Sequence, residues 1–280
     1  GDVEAGLALA ELIAGMKKPT VSLFRRMKNE GRKIVMLTAY DAPTAKLAQE
    51  CGIDIILVGD SLGMAVLGYQ NTLPVTLEQS LHHCAAVRRG APDAFVIGDM
   101  PFMTCHASET DALKNAARYL QEAQCDAVKI EGDAALAPTV ERMVHAGIPV
   151  MGHIGLLPQH IKTSGVYRVT GRKEEEAERI IADAKAMEAA GVFAMVLECM
   201  PAELGKQITE AVSVPTIGIG AGVHCSGQVQ VVNDLLGLFT DFQPKHARRY
   251  ANLTDEIRRA FTEYVSDVRE QKFPGPENSF

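Results

Sequence analysis

The sequence predicts an α/β protein built as a single (β/α)8 TIM barrel, with N-terminal and C-terminal helical extensions. Segments typical of strands and of helices alternate about eight times along the 280 residues, without a stretch of linker composition. Three of the strand segments lead into acidic residues, at Asp60, Asp99 and Glu131. Barrels of this kind keep their catalytic residues at the C-terminal ends of the strands. A doubly wound sheet is less favoured, because it would carry a Gly-rich nucleotide-binding loop after its first strand.

Short aliphatic runs mark the strands, because parallel strands covered by helices on both faces are apolar throughout. The predicted strands are residues 33–38, 53–58, 95–99, 127–131, 148–153, 192–197, 215–219 and 228–232. Several helices are expected to begin at Ser, Thr or Asp, which cap helix N-termini. The predicted helices are residues 22–27, 41–49, 76–89, 108–123, 172–190, 202–211 and 247–270, and one that ends at His145. Two long connections, residues 64–75 and 155–171, are typical of functional loops.

Residues 1–17 are expected to be an N-terminal extension, either an added segment or the product of an upstream start. Residues 18–280 then form the catalytic barrel. The only positive cluster near the start of the chain, Lys17-Lys18, follows the apolar part of the extension. A secretory signal has the reverse order, so this segment is not interpreted as one.

Composition and charge argue against several other classes of protein. The net charge of −7 disfavours a nucleic-acid-binding surface, and no apolar run approaches the roughly 20 residues that span a bilayer. The six cysteines form no Cys-x-x-Cys pair, which indicates free buried thiols in a reducing compartment and a cytoplasmic location. Nothing marks one of these thiols as a nucleophile.

The three acids at the strand ends indicate a metal site. Asp60, Asp99 and Glu131 supply hard oxygen ligands without sulfur, the donor type that Mg²⁺ prefers. Zinc is less favoured, because among the strand-end residues only His153 could supply nitrogen. The alternative is that the acids cap helices, since Asp favours that position. Three such strands in succession, with Lys129 between apolar neighbours on the third, favour a metal or acid–base site.

A Mg²⁺ ion with open positions could hold a chelating substrate such as a 2-oxo acid and stabilise its enolate. Glu198, at the end of the sixth strand, is then placed to remove the α-proton as general base. Lys129 could neutralise the carboxylate or the enolate, and Ser61 could donate a hydrogen bond to it. His153 could donate to the developing oxyanion. Structural roles for Lys129, Ser61 and His153 are the alternative to each of these assignments.

A set of spaced motifs gives the sequence a family resemblance. They are residues 58–64 (VGDSLGM), 72–76 (TLPVT), 86–92 (AVRRGAP), 98–103 (GDMPFM), 128–132 (VKIEG), 152–159 (GHIGLLPQ), 197–201 (LECMP) and 217–222 (IGIGAG). With these motifs the chain resembles the ketopantoate hydroxymethyltransferase family from about Lys18 to the closing residues 274–280. So many motifs in one order are far more specific than any one of them.

The resemblance implies a (β/α)8 barrel with Mg²⁺ held by Asp60 and Asp99 and with Glu131 in the shell of the ion. It implies 3-methyl-2-oxobutanoate as substrate and Glu198 as proton acceptor, with substrate contacts from Asp60, Ser61, Asp99 and Lys129. It also implies 5,10-methylenetetrahydrofolate as the one-carbon donor, a step of pantothenate synthesis, and a homodecamer.

Two positions depart from the family pattern, and two other functions stay open. Ser226 and Asn233 stand where members often have Asp and His, which leaves the details of the barrel mouth near strand eight uncertain. One rival function is a Mg²⁺-dependent lyase or mutase acting on 2-oxo diacids, as in barrels of the isocitrate lyase and phosphoenolpyruvate mutase type. Its substrates would call for an arginine pair, for which Arg168 and Arg172 are the candidates. The other is a catalytically silent barrel that serves as a binding protein.

Overall fold

A computed structural model describes residues 18–238 and 242–280 of the chain. The expectation that residues 1–17 form an extension lies outside these described residues. Contacts divide the chain into two compact units, one that ends at Val229 and one that comprises Gln230–Phe280. Each unit is described by itself.

Eight parallel strands pair in sequence order and close into a barrel, which confirms the predicted fold. They are β1 (Ile34–Thr38), β2 (Ile55–Val58), β3 (Phe95–Asp99), β4 (Ala127–Glu131), β5 (Val150–Gly155), β6 (Ala194–Glu198), β7 (Thr216–Ile219) and β8 (Gly227–Gln230). Because the strands are parallel, their carboxyl ends meet at one rim, and the barrel mouth lies there.

Alternate residues of each strand fill the barrel interior, because side chains along a strand point in turn to opposite faces. Ile55, Phe95, Ala127 and Met151 belong to one buried apolar cluster that fills the lower part of the barrel. On β4 the same parity brings Lys129 and Glu131 above Ala127 on the inner face. The apolar filling therefore gives way to charged groups at the carboxyl ends of the strands.

Helices surround the barrel in the expected alternation. They are α1 (Val21–Asn29), α2 (Ala42–Glu50), α3 (Leu62–Ala65), α4 (Leu77–Gly90), α5 (Glu109–Gln121), α6 (Ala137–His145), α7 (Ile161–Ser164), α8 (Glu174–Ala190) and α9 (Ala202–Ala211). Asp41, Thr76 and Ser108 cap three of them by accepting hydrogen bonds from backbone N–H groups, as the sequence predicts. Phe24 and Met27 of α1 pack into the apolar cluster at the amino ends of the strands, so α1 closes the end opposite the mouth.

The second unit contains α10 (Val232–Leu236) and α11 (Leu253–Arg269). The last helix begins at Leu253 and not at Ala247. Arg248 N–H donates to the side chain of Gln230 and Tyr250 N–H to the backbone oxygen of Leu235, so neither enters a helical hydrogen-bond pattern. None of the described helices is both long and apolar enough to cross a bilayer.

Three further differences bear on the site. The ladder between β5 and β6 continues to Gly155, so His153 lies within β5 and not at its end. Ser226 lies at the amino end of β8, where its backbone oxygen accepts from the N–H of Ile34 at the start of β1. This departure from the family pattern is therefore remote from the mouth. All six cysteines are free, as expected, but Cys51 is exposed and not buried.

Candidate active site

Asp60, Asp99 and Lys129 form a buried ionic cluster at the mouth of the barrel. Asp99 ends β3, and Lys129 lies beside it in register on β4. Nζ of Lys129 is 2.8 Å from Oδ1 of Asp99, and the backbone N–H of Asp60 donates a hydrogen bond of 2.9 Å to Oδ2 of Asp99. Each of the three residues is at most 4% exposed. Two carboxyl groups and one ammonium group therefore lie together, shielded from bulk water.

Packing behind β3 fixes the position of Asp99. The hydroxyl of Tyr119 lies 2.8 Å from the backbone oxygen of Asp99 and 2.7 Å from Oγ of Ser80. The Tyr119 ring occupies the space that a Cβ at Gly98 would fill, so only glycine allows this approach. The carboxyl end of β3 is thus held by a buried tyrosine.

Glu131, His153 and Glu198 extend the cluster across the mouth. Glu131 ends β4 and is paired in register with His153 of β5. Nδ1 of His153 lies 3.2 Å from Nζ of Lys129 and 3.6 Å from Oε1 of Glu131. On the other side of the ring, Nε2 lies 3.0 Å from Oε2 of Glu198. Nε2 makes no well-aligned hydrogen bond, so this is a close contact.

The partners of His153 assign its protonation state. An ammonium group only donates, so Nδ1 is the acceptor from Lys129 and the ring proton is on Nε2, which faces Glu198. Burial lowers the pKa of His153 and the Lys129 ammonium lowers it further, which favours the neutral ring. The sequence predicts donation from His153 to the substrate, whereas the structure directs Nε2 at Glu198. The ring is therefore in close contact with Glu198, and its contact with substrate stays a prediction.

The alternative that these residues cap helices is wrong. Ser61 precedes α3, but its side chain makes no capping bond there. Its Oγ lies 2.7 Å from the hydroxyl of Tyr40. Asp133, not Glu131, caps the 3-10 helix that follows β4, and Ser108 caps the helix that follows β3. The carboxylates at the strand ends therefore do not cap helices and can take part in a metal or acid–base site.

The carboxylates at the mouth outnumber the cations. Burial raises the pKa of Asp60 to about 8, and the neighbouring Asp99 carboxylate adds to the effect. Burial and then Asp60 raise the pKa of Glu131 well above its usual range. Burial alone would lower the pKa of Lys129, but the Asp99 and Glu131 carboxylates raise it, so Lys129 stays charged. One ammonium group does not balance these acids, so the site favours an additional cation.

Gln159 lies in the cluster at the mouth, although the sequence analysis includes it only as part of the motif 152–159 and does not predict it as a site residue. It lies on a 3-10 helix (Pro158–His160) of the long connection after β5 and is 3% exposed. Its Nε2 donates to Oδ2 of Asp60 at 3.0 Å and to the backbone oxygen of Met100 at 3.1 Å. Its backbone N–H donates to Oε2 of Glu131 at 3.0 Å. Gln159 thus ties the loop to two of the three acids.

The donor set fits a hard divalent cation. Oε1 of Gln159 is a buried acceptor without a hydrogen-bond donor among the described residues, and Oδ1 of Asp99 has only its ion pair with Lys129. Such atoms are satisfied by a metal ion or by its water molecules. Across residues 18–238 and 242–280, no three His, Cys, Asp or Glu side chains lie together as a metal site, so Asp60, Asp99 and Glu131 do not form a three-carboxylate cluster. Mg²⁺ does not need one, because it keeps several waters and takes one or two protein carboxylates.

Comparison with known proteins gives a consistent match over nearly the whole chain. The family model described as ketopantoate hydroxymethyltransferase matches residues 18–276. A 3-methyl-2-oxobutanoate hydroxymethyltransferase of Carboxydothermus hydrogenoformans is 52% identical over 95% of this chain and 96% of its own length. A protein of the same name from Chloroflexus aurantiacus is 55% identical over 93% of this chain and 92% of its own.

Among solved structures, a phosphonopyruvate hydrolase in complex with oxalate and Mg²⁺ matches with a TM-score of 0.61. The match covers 94% of this chain and 93% of that one, at 13% sequence identity. At this identity the likeness concerns the fold alone, and it agrees with the closed barrel described above.

Proposed function

The chain belongs to the ketopantoate hydroxymethyltransferase family, and we propose from this premise that it transfers a hydroxymethyl group to 3-methyl-2-oxobutanoate. The donor is 5,10-methylenetetrahydrofolate, and the product is 2-dehydropantoate, an intermediate of pantothenate synthesis. The observation that carries the proposal is identity above 50% to hydroxymethyltransferases over more than nine-tenths of the chain. The buried acids at the mouth agree with it.

Asp60 and Asp99 would hold the Mg²⁺ ion, and Glu131 would contact its shell. When bound, the ion supplies positive charge that lowers the free energy of an enolate. Lys129 stays protonated beside Asp99, so its ammonium adds a second positive charge close to the bound 2-oxo acid. Ser61, whose Oγ lies 2.7 Å from the hydroxyl of Tyr40, would donate a hydrogen bond to the substrate.

Glu198 acts as the general base in this proposal. It ends β6, and its side chain is 15% exposed, so it borders the cavity where the substrate would lie. One of its carboxylate oxygens lies 3.0 Å from Nε2 of His153, and the other oxygen would take the C3 proton. Once that proton is removed, C3 attacks the methylene carbon carried by the folate. This attack breaks the bond from the methylene carbon to one folate nitrogen, which keeps the electron pair and takes up a proton. Hydrolysis then breaks the remaining C–N bond of the adduct: the second nitrogen takes a proton from water and tetrahydrofolate leaves, while the water oxygen becomes the hydroxyl group of the product.

The direct test is an assay with both substrates. We expect 3-methyl-2-oxobutanoate and 5,10-methylenetetrahydrofolate to be consumed in equal amounts when Mg²⁺ is present, with 2-dehydropantoate as product. Oxaloacetate, a 2-oxo diacid, serves as the matched substrate for the rival lyase or mutase activity. Cleavage of the diacid without folate-dependent turnover of the monoacid would contradict the proposal. No turnover of either would favour the silent barrel.

We also propose that the protein acts in the cytoplasm as a homo-oligomer, with the homodecamer of the family resemblance as the expected form. The free thiols agree with a reducing compartment. Helix α11 has no buried residue, and its exposed apolar side chains recur at helical spacing at Ile257, Phe261, Tyr264, Val265 and Val268. Such a stripe calls for a covering surface, which a second copy of the chain would supply.

Substitution on this stripe tests the assembly. F261E is expected to shift the protein from the oligomer to smaller species in light scattering coupled to size exclusion, because a charge would be buried in the contact. T262E, on the polar flank of α11, introduces the same charge as a control and should leave the mass unchanged. An oligomer that survives F261E would remove α11 from the interface.

A further inference from the structure

A cationic groove runs beside the mouth, between the loop that precedes α8 and the first turns of that helix. Its volume is about 800 Å³, within the range of small-molecule sites. Four cationic side chains line it, against two carboxylates: Arg168, Arg172, Lys173 and Arg179, with Glu175 and Glu176. A concentration of positive charge is unexpected on a chain with a net charge of −7. We therefore asked what it could bind.

Most of these cations lack an ion-pair partner in the part of the chain that the structure describes. Arg168, Arg172 and Lys173 form no ion pair among the residues that the structure describes. The remaining cation, Arg179, is 3.9 Å from Glu176, a distance typical of a weak pair. Glu176 itself accepts a hydrogen bond of 2.7 Å from the backbone N–H of Gly171, which holds the loop against the helix. The groove thus offers several cations to an anionic ligand.

The groove is continuous with the rim of the active site. A second cavity of about 370 Å³ shares Arg168 and Arg179 with it and reaches Gly132 and Gly155. Gly132 directly follows Glu131, and Gly155 is paired in register with Glu198. The carboxyl end of β5 and the residue that follows β4 therefore also line this cavity, next to Glu131 and Glu198.

The loop is anchored close to Glu198. Thr170 N–H donates 2.8 Å to the backbone oxygen of Cys199, the residue after Glu198. Tyr167, 47% exposed, lies near enough to the mouth that its pKa is raised, first by partial burial and then by the Asp60 and Glu198 carboxylates. One loop thus carries a half-exposed aromatic ring next to Arg168, which lines the groove.

The chemistry of the one-carbon donor matches this arrangement. A folate has a flat pterin and a benzoyl ring, followed by a glutamate tail that carries carboxylates. Its methylene carbon must come within bonding distance of the substrate C3, beside Glu198, and the tail must then leave through the rim. An aromatic surface near the mouth and cations farther out are the complementary groups.

We propose that the groove lined by Arg168, Arg172, Lys173 and Arg179 binds the glutamate carboxylates of the folate co-substrate, with Tyr167 against its ring system. This inference rests on the proposed function. It assigns the co-substrate to the outer side of the loop that precedes α8, and the 2-oxo acid to the barrel interior.

The test measures how affinity depends on the tail. Dissociation constants are measured by calorimetry for tetrahydrofolate with one and with three glutamates and for tetrahydropterin, which has no tail. Wild-type protein is expected to bind the triglutamate most tightly, and 0.5 M salt should reduce this preference. The double variant R168Q/R172Q should weaken triglutamate binding on the order of tenfold and leave tetrahydropterin binding unchanged.

A matched control removes two exposed cations elsewhere, in R26Q/K46Q, which should bind all three ligands as wild type does. Exchange of the C3 proton of 3-methyl-2-oxobutanoate, measured without folate, reports whether each variant retains a folded oxo-acid site. The inference would be overturned if wild type bound the three ligands with equal affinity. It would also be overturned if R168Q/R172Q kept the wild-type preference for the triglutamate. If either result is found while folate-dependent turnover is intact, only the assignment of the folate tail to the groove is rejected. If wild type shows no folate-dependent turnover, the proposed function itself is rejected.

Discussion

Replacement of Glu198 with Gln is expected to abolish exchange of the C3 proton of 3-methyl-2-oxobutanoate with D₂O, with a loss on the order of 10²- to 10⁴-fold. The carboxamide keeps the size of the side chain and can still contact Nε2 of His153, 3.0 Å from the native carboxylate. It cannot accept a proton at neutral pH. Proton exchange followed by NMR without folate measures this step by itself.

Binding of the oxo acid should change little in E198Q, because Asp60, Asp99 and Lys129 are unaltered. A large loss of exchange with nearly native affinity therefore distinguishes a missing base from a collapsed site. E203Q, an exposed acid in the first turn of α9, is the matched control and should exchange at the wild-type rate. Undiminished exchange in E198Q would assign proton removal to another group.

The convergence of the acids could be predicted because it depends on local rules. Strand parity brings Lys129 and Glu131 to the same face of β4, and parallel pairing in sequence order brings Asp99 beside them. Both facts follow from apolar runs that end in polar residues and from alternation with helices. The barrel and the convergence of these side chains at its mouth could therefore be predicted from the sequence.

Contacts made by the long loop could not be predicted in this way. Gln159 and Asp60 are hydrogen-bonded although 99 positions separate them, and no periodicity in the sequence links the two. The orientation of the His153 ring could not be predicted either, because it depends on Nζ of Lys129 and on Oε2 of Glu198, which lie on two different strands. Such contacts are determined by how the loop and the strands pack against one another. Secondary-structure propensity does not predict that packing.

The start of the last helix shows a related limit. Its amphipathic pattern extends back to Ala247, but side-chain and backbone hydrogen bonds hold Arg248 and Tyr250 outside the helix. Boundaries are decided by such tertiary bonds, whereas the existence of the helix is decided by the pattern.

Replacement of Asp60 with Asn is expected to separate stability from metal binding. Ionised Asp60 is costly in the metal-free protein, since burial and Asp99 raise its pKa to about 8. Asn has no carboxylate to be protonated or buried as an ion on folding, so it avoids this cost, and it keeps an oxygen that can accept from Gln159 Nε2. The melting temperature of metal-free D60N should therefore equal or exceed that of wild type.

Mg²⁺ should stabilise wild type and leave the stability of D60N almost unchanged. At a concentration 100 times the dissociation constant, a ligand that binds only the folded state stabilises it by about 2.7 kcal/mol. In a chain of this size that corresponds to a rise in melting temperature on the order of 5 °C for wild type, and D60N should show almost none. Calorimetry with and without Mg²⁺ measures both effects.

The control for this experiment is a partly buried acid outside the mouth. Asp126 pairs with Arg88 and Lys18 and accepts from the backbone N–H of Val96. D126N breaks a partly buried ion pair, so it should lower the melting temperature with or without Mg²⁺ and leave the rise caused by Mg²⁺ intact. A rise in D60N as large as in wild type would show that Asp60 is not a ligand. If D60N instead melts well below wild type without metal, the carboxylate at position 60 stabilises the fold, and the expected conflict between stability and metal binding does not exist.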